Sequence, residues 1–222
     1  MEDKEIYAEI SSIRNLMERS TKFISLSGLS GVMAGVYALI GAALAYQILP
    51  KGNVLQPLPV GKYPDLFYGS YGSGYWATLD LTLFFIALAV LILSIGTGIL
   101  LTVRKARKKG LSVVNPSSKA LLISGGIPLL TGGLFVLILL GHGYFGIISS
   151  ACLIFYGLAL VAASAHTFGD VKWLGIFEIL LGLLALLKPG YGLYIWAFGF
   201  GVMHILYGTI MHFKYDRESN TK

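Results

Sequence analysis

Charge is what this sequence lacks most. Only 13% of its 222 residues are charged, while 55% are hydrophobic and the mean hydropathy is +0.74. Soluble domains carry about a quarter charged residues, so a disordered chain and a standard soluble enzyme are both excluded. Cysteine is nearly missing too. Cys152 stands alone inside an apolar run, which rules out an intrachain disulfide and a disulfide-stapled secreted domain and leaves a small buried packer. Strand-type alternation is absent: the run from Leu79 to Leu101 is apolar on every face, which excludes a transmembrane β-barrel. Catalytic signatures are lacking as well, with no Walker-type phosphate loop, no G-x-S-x-G elbow and no H-E-x-x-H helix. Residues 69–74 have phosphate-loop composition, but they precede an apolar span on the lysine-poor side, where glycines serve flexibility. No cofactor is implied.

Long apolar stretches are what remain. A helix needs about 20 apolar residues to cross the hydrocarbon core, and six stretches approach that length, at 23–49, 76–103, 119–140, 144–165, 173–188 and 191–213. The expected fold is therefore all-α: a polytopic integral membrane protein of six transmembrane helices. The formal charge of +6 lies beside these spans, which suits membrane lipid headgroups and not nucleic acid. Of the 17 Lys and Arg, only Lys51, Lys62 and Lys188 lie on one side; the other 14 fall in the N-terminal segment, the Arg104–Lys119 connection, Lys172 and the C-terminal tail. The positive-inside rule makes that richer side, with both termini, cytoplasmic. The triplet Ala43-Leu44-Ala45 imitates a signal-peptidase site, but the apolar run before it is too long for a signal peptide, and the first span is read as retained.

Three segments lie outside the lipid. Residues 1–22 contain an amphipathic helix over 3–20, with Ile6, Ile10, Ile13 and Met17 on one face. It either packs at the membrane interface or docks a cytoplasmic partner or a second protomer, so a homo-oligomer stays open. The outer loop 50–75 holds Pro50, Pro57, Pro59 and Pro64 and then a tyrosine-rich stretch. Those prolines forbid a regular helix, and the rings suit the interfacial belt or a lid over the bundle. Residues 214–222 form a cytoplasmic tail.

The odd spans carry paired glycines seven positions apart: Gly28 and Gly35, Gly125 and Gly132, Gly175 and Gly182. Seven residues make two helical turns, so each pair shares a face. The even spans answer with Ser94-Ile95-Gly96, Phe155-Tyr156-Gly157 and Leu206-Tyr207-Gly208. The chain thus reads as three hairpin repeats, 23–103, 119–165 and 173–213, held by close approach at glycine. The stretch from Gly175 through Glu178, Gly182 and Lys188-Pro189-Gly190, followed by Tyr207-Gly208, resembles the repeat of the HdeD-type acid-resistance membrane proteins. The likeness is best over 173–213, weaker over 119–165, where Pro128 lies inside the span, and poor over 23–103. It implies a six-helix bacterial inner-membrane protein linked to envelope or acid stress, with no catalytic residues to carry over.

Ionisable residues inside lipid are costly and mark functional positions. Asp80 falls near the outer end of the second span, Glu178 in the fifth and His204 near the middle of the sixth. Counted from the turn at Pro189 and Gly190, Glu178 and His204 differ in depth by roughly 5 Å at 1.5 Å per residue, so they meet if their faces match. Together they would make a proton-responsive pair; the other reading is that Glu178 is neutralised by protonation or hydrogen-bonds to a neighbouring span as structural glue. His166 and His212, with Asp170, form a weak candidate metal site without local ligand spacing, and His142 serves a turn. The leading expectation is a non-enzymatic multi-span protein of a bacterial inner membrane, linked to envelope or pH stress. A small-solute or ion transporter or channel lined by Asp80, Glu178 and His204 is the alternative, and an intramembrane metal- or cofactor-binding protein is the second.

Overall fold

The computed structural model describes residues 27–48, 74–108, 110, 112–142, 144–188 and 190–216, with the backbone alone over 74–80 and at 216. The amphipathic helix expected over 3–20 and the outer loop up to residue 73 lie outside the described residues.

Those residues form six helices and no strand. Helix α1 is Gly28–Ile48, α2 Gly74–Lys108, α3 Pro116–Gly141, α4 Ile148–Ala163, α5 Val171–Leu187 and α6 Gly192–Tyr215. Short 3₁₀ turns at Phe145–Ile147 and Ser164–His166 extend α4 at both ends. Five of the helices, α1 to α4 and α6, are long and apolar enough to cross a membrane. Helix α5 is as apolar but has 17 residues, about 25 Å at 1.5 Å per residue, somewhat less than the hydrocarbon thickness.

Local chemistry explains the ends. Helix α2 continues five residues beyond its apolar run, and Lys105, Arg107 and Lys108 occupy its last turn, where cations complement the helix dipole. Helix α3 begins at Pro116, three residues before its expected start, because Asn115 and Ser118 close a capping box: the Asn115 side chain accepts from the Ser118 N–H at 2.8 Å and the Ser118 hydroxyl accepts from the Asn115 N–H at 2.9 Å. Between α5 and α6 the Tyr191 N–H bonds the Lys188 carbonyl at 3.2 Å, and Gly190 takes φ +90°, which a side chain would oppose.

Close packing follows the first two hairpins but not the third. Helix α1 sits between α2 and α6, α4 sits between α3 and α5, and the two groups meet where α4 and α5 reach α6. Helices α5 and α6, consecutive in the chain and expected as a tight pair, touch each other far less than α5 touches α4 or α6 touches α1. The glycines give the reason. A Cβ on Gly175 would lie 2.7 Å from the Gly157 carbonyl of α4, and one on Gly182 2.6 Å from Ile154. On α1, a Cβ at Gly35 would lie 2.6 Å from the Gly201 carbonyl of α6, and one at Gly28 would collide with the His212 backbone. Of the three seven-spaced pairs, those of α1 and α5 therefore pack across hairpins, while Gly125 and Gly132 of α3 face their own partner, at Ala163 and Phe155.

Candidate functional site

Glu178 lies on the glycine face of α5, three residues after Gly175 and four before Gly182. Those glycines let α4 close over it, so the carboxyl is fully buried, with Leu153 of α4 equally buried beside it. Its other neighbour is Gly199 of α6, where an added Cβ would stand 2.5 Å from Glu178 Oε2 and 2.7 Å from Leu153. Gly199 leaves the space that the carboxyl fills.

His204 reaches the same point from α6. Its Nδ1 is 3.4 Å from Glu178 Oε1 and 3.0 Å from the Gly199 carbonyl, and its Nε2 is 2.7 Å from the Tyr156 hydroxyl on α4. The Gly199 carbonyl lies within the π-helical turn Ala197–Met203, a widened segment of a kind that recurs at functional sites. A carbonyl only accepts, so Nδ1 carries a hydrogen and donates to it; in the neutral ring Nε2 then accepts from the tyrosine hydroxyl. Phe200 stacks on His204 at 5.8 Å between centroids, and Trp196 packs on Phe200 at 5.1 Å. Both Glu178 oxygens are buried with no hydrogen-bond partner among the described residues, although a buried polar group left unpaired costs about 1–3 kcal/mol.

The structure thus brings Glu178 and His204 together and adds Tyr156. Asp80 belongs to the first part of α2, and its side chain lies outside the described residues. His142 bonds the Ile138 carbonyl through Nδ1 at 2.9 Å and stacks on Tyr144. His166 ends the 3₁₀ turn after α4, and His212 begins the last π turn of α6. Among the described residues no three His, Cys, Asp or Glu side chains gather in a metal-binding group.

A second polar cluster closes the basic end of the bundle. Asp170, just before α5, accepts from Lys214 at 2.6 Å and from the Tyr215 hydroxyl at 2.9 Å through the same Oδ2. The Lys214 hydrogen bond, seconded by Tyr215, holds the Asp170 carboxyl below the usual carboxylate range against the smaller opposing effect of partial burial. Phe168 packs on the Tyr215 ring at 4.2 Å and carries the Lys105 ammonium over its face at 5.8 Å, tying α2 to the same end. The sequence signal for Tyr156 was its place directly before Gly157 on an even span. For the Asp170–Lys214 pair, 44 residues apart, there was none.

Compared with known proteins, the chain matches no family model, no curated protein and no solved structure.

Proposed function

We propose that this protein is a non-enzymatic, proton-responsive protein of a bacterial inner membrane, in which Glu178 and His204 exchange a proton with the surroundings and bias how α5 and α6 pack. Six helices span the bilayer in this reading. Helix α5 is the sixth, crossing with little tilt and a small local thinning of the lipid. The Arg104–Lys119 connection and the segments before α1 and after α6 are cytoplasmic, as the lysine and arginine distribution requires.

One observation carries the reading. A fully buried carboxyl with no hydrogen-bond partner among the described residues stands 3.4 Å from an imidazole whose two nitrogens both face polar atoms. A purely structural acid would be bonded to a neighbour; an imidazole beside a carboxyl makes a coupled pair that changes charge near physiological pH. The resemblance of 173–213 to the HdeD-type repeat supports acid or envelope stress as the setting. A solute transporter is the weaker alternative, because Glu178 is the only fully buried acid among the described residues.

Trp196, two ring contacts from His204, reports on the site. With Trp76 and Trp173 changed to phenylalanine, its emission in lipid discs should shift between about pH 5 and 8. The shift should vanish in Glu178→Gln and in His204→Gln, with no further loss in the double variant. Identical profiles in all four proteins would end this reading.

A further inference from the structure

Helix α6 is α-helical over Gly192–Trp196 and again over His204–Met211, and the π turn Ala197–Met203 interrupts it between them. Bonding of the π type sends each N–H five residues back instead of four. The Met203 N–H, which an α-helix would give to the Gly199 carbonyl, is thereby directed to Phe198, and the His204 N–H bonds the Gly201 carbonyl. The hydrogen that reaches the Gly199 carbonyl is the one on His204 Nδ1, at 3.0 Å. Glu178 Oε1 stands 3.4 Å from the same nitrogen and has no hydrogen-bond partner among the described residues. Two acceptors thus compete for one hydrogen. The outcome in this structure is that of a protonated acid, because an ionised carboxylate is a stronger acceptor than a carbonyl and would hold the hydrogen itself. The titratable groups that face Glu178 are His204 of α6 and, through His204, Tyr156 of α4. Helix α1 meets the π turn at Gly201 with Gly35 and Leu39, neither of them titratable.

We propose that the π turn is the element this site switches: when Glu178 ionises it takes the Nδ1 hydrogen, the Gly199 carbonyl turns to the Met203 N–H, and the π turn tightens to α. The switch rests on the proton-responsive reading of Glu178 and His204. Glu178 releases one proton to the surroundings, Nδ1 keeps its hydrogen and changes acceptor, and Tyr156 goes on donating to Nε2. A buried carbonyl left without a hydrogen is unfavourable, and the α bond from Met203 restores one. Losing the extra residue of the widened turn rotates one end of α6 against the other by about 100°, the angle between successive residues of an α-helix. The inner end is held by α1: a Cβ at Gly208 would lie 2.5 Å from the Val32 nitrogen, and one at Gly28 would collide with the His212 backbone. The outer segment Gly192–Trp196 has no buried residue, so it is the part that turns. It carries Trp196 and also Tyr194, whose ring meets Tyr46 of α1 edge-on at 6.2 Å. Deprotonation therefore parts the outer end of α6 from Tyr46 of α1 and from Ser149 of α4, while the inner half keeps its place.

The test is a disulfide across α4 and α6. A Cβ at Gly192 would stand 3.2 Å from the Ser149 Cβ, close to the spacing a disulfide bridges. In a Cys152→Ala background and lipid discs, Ser149→Cys with Gly192→Cys should cross-link under added oxidant at about pH 5 equally fast with and without Glu178→Gln. At about pH 8 the protein that keeps Glu178 should cross-link about tenfold more slowly than the one with Glu178→Gln, the population equivalent of one buried carbonyl left unpaired. Comparison at a single pH cancels the pH dependence of the thiols themselves. Equal rates at the higher pH, in a protein whose Trp196 emission still responds to pH, overturn the switch and leave the proton-responsive site intact. A parent with no change in Trp196 overturns both. Should the double cysteine variant not fold, spin labels on Tyr194→Cys and Leu137→Cys, both at exposed positions, decide instead. A separation that changes over the same pH range and stays fixed in Glu178→Gln sustains the switch, and an unchanged separation overturns it.

Discussion

Glu178 combines two properties that ordinarily exclude each other: complete burial and a carboxyl without a hydrogen-bond partner among the described residues. An arrangement kept for stability would not leave it so, since replacing an unpaired buried polar group by an apolar one of similar shape is neutral or stabilising. Glu178→Met should therefore raise the midpoint of thermal unfolding in detergent, by the equivalent of roughly 1–3 kcal/mol, while abolishing the Trp196 response. A variant markedly less stable than the parent would make Glu178 a structural residue. Asp170 is the opposite case. Its folded-state pKa is lowered, first by the Lys214 hydrogen bond, so the stability it contributes is present above the ordinary carboxylate range and is lost as pH falls through the lowered folded value. Asp170→Asn should flatten the acid limb of the stability profile below about pH 4 and change little at neutral pH beyond a constant offset. Parallel acid limbs in the two proteins would deny the pair any role in acid stability.

At the scale of elements, the helices hold together where side chains are missing. In lipid there is no hydrophobic gain in bringing apolar helices together, so association depends on fit and on close backbone approach. The glycines differ widely on this criterion. An added Cβ at Gly157, Gly175 or Gly182 meets backbone or branched side chains within 3 Å, whereas at Gly96, Gly126 and Gly133 nothing lies within 4 Å. Leucine at Gly157 or Gly182 should cost roughly 1–3 kcal/mol through overpacking, and leucine at Gly126 or Gly133 should leave the thermal midpoint in detergent unchanged. Equal effects at all four positions would mean that the close approaches do not hold the bundle together. The third-residue position after the first glycine of each stripe is Gly31 on α1, Pro128 on α3 and Glu178 on α5. The acid thus occupies one stripe of three, at the place where helices come nearest.

For the whole molecule, the consequence is a bundle in two groups, α1 with α2 and α6 and α3 with α4 and α5, joined where α4 and α5 meet α6. The candidate site sits on that junction, with Glu178 from α5, Tyr156 from α4 and His204 from α6. In the proposed reading, a change of charge there acts on α4 against α5 as well as on the contact between the two groups. Orientation in the membrane is testable separately. In a Cys152→Ala background, an impermeant thiol reagent applied to intact cells should miss a cysteine at Lys108 and label one at Lys188, and the reverse pattern would invert the topology.

Composition alone determined that the chain is helical and suited to a bilayer, because a run that is apolar all round for twenty residues can satisfy its backbone in lipid only as a helix. Spacing alone placed the glycine pairs on single faces, since a seven-residue interval is two turns whatever surrounds it. Hydropathy placed the start of α3 at Lys119, three residues late, because the capping box of Asn115 and Ser118 is made by polar residues before the apolar run. Which helix each glycine face meets could not be read. A helix with small residues on one side packs equally well on any partner of matching shape, and the choice of α4 over α6 for α5 is made by Gly157 and Ile154, distant in sequence. The site followed from that choice. Glu178 and Gly175 were each visible, but that the glycine draws in the helix carrying Tyr156, and that Gly199 leaves room for the carboxyl beside His204, depends on three helices meeting at one depth. Only the tertiary structure specifies that meeting.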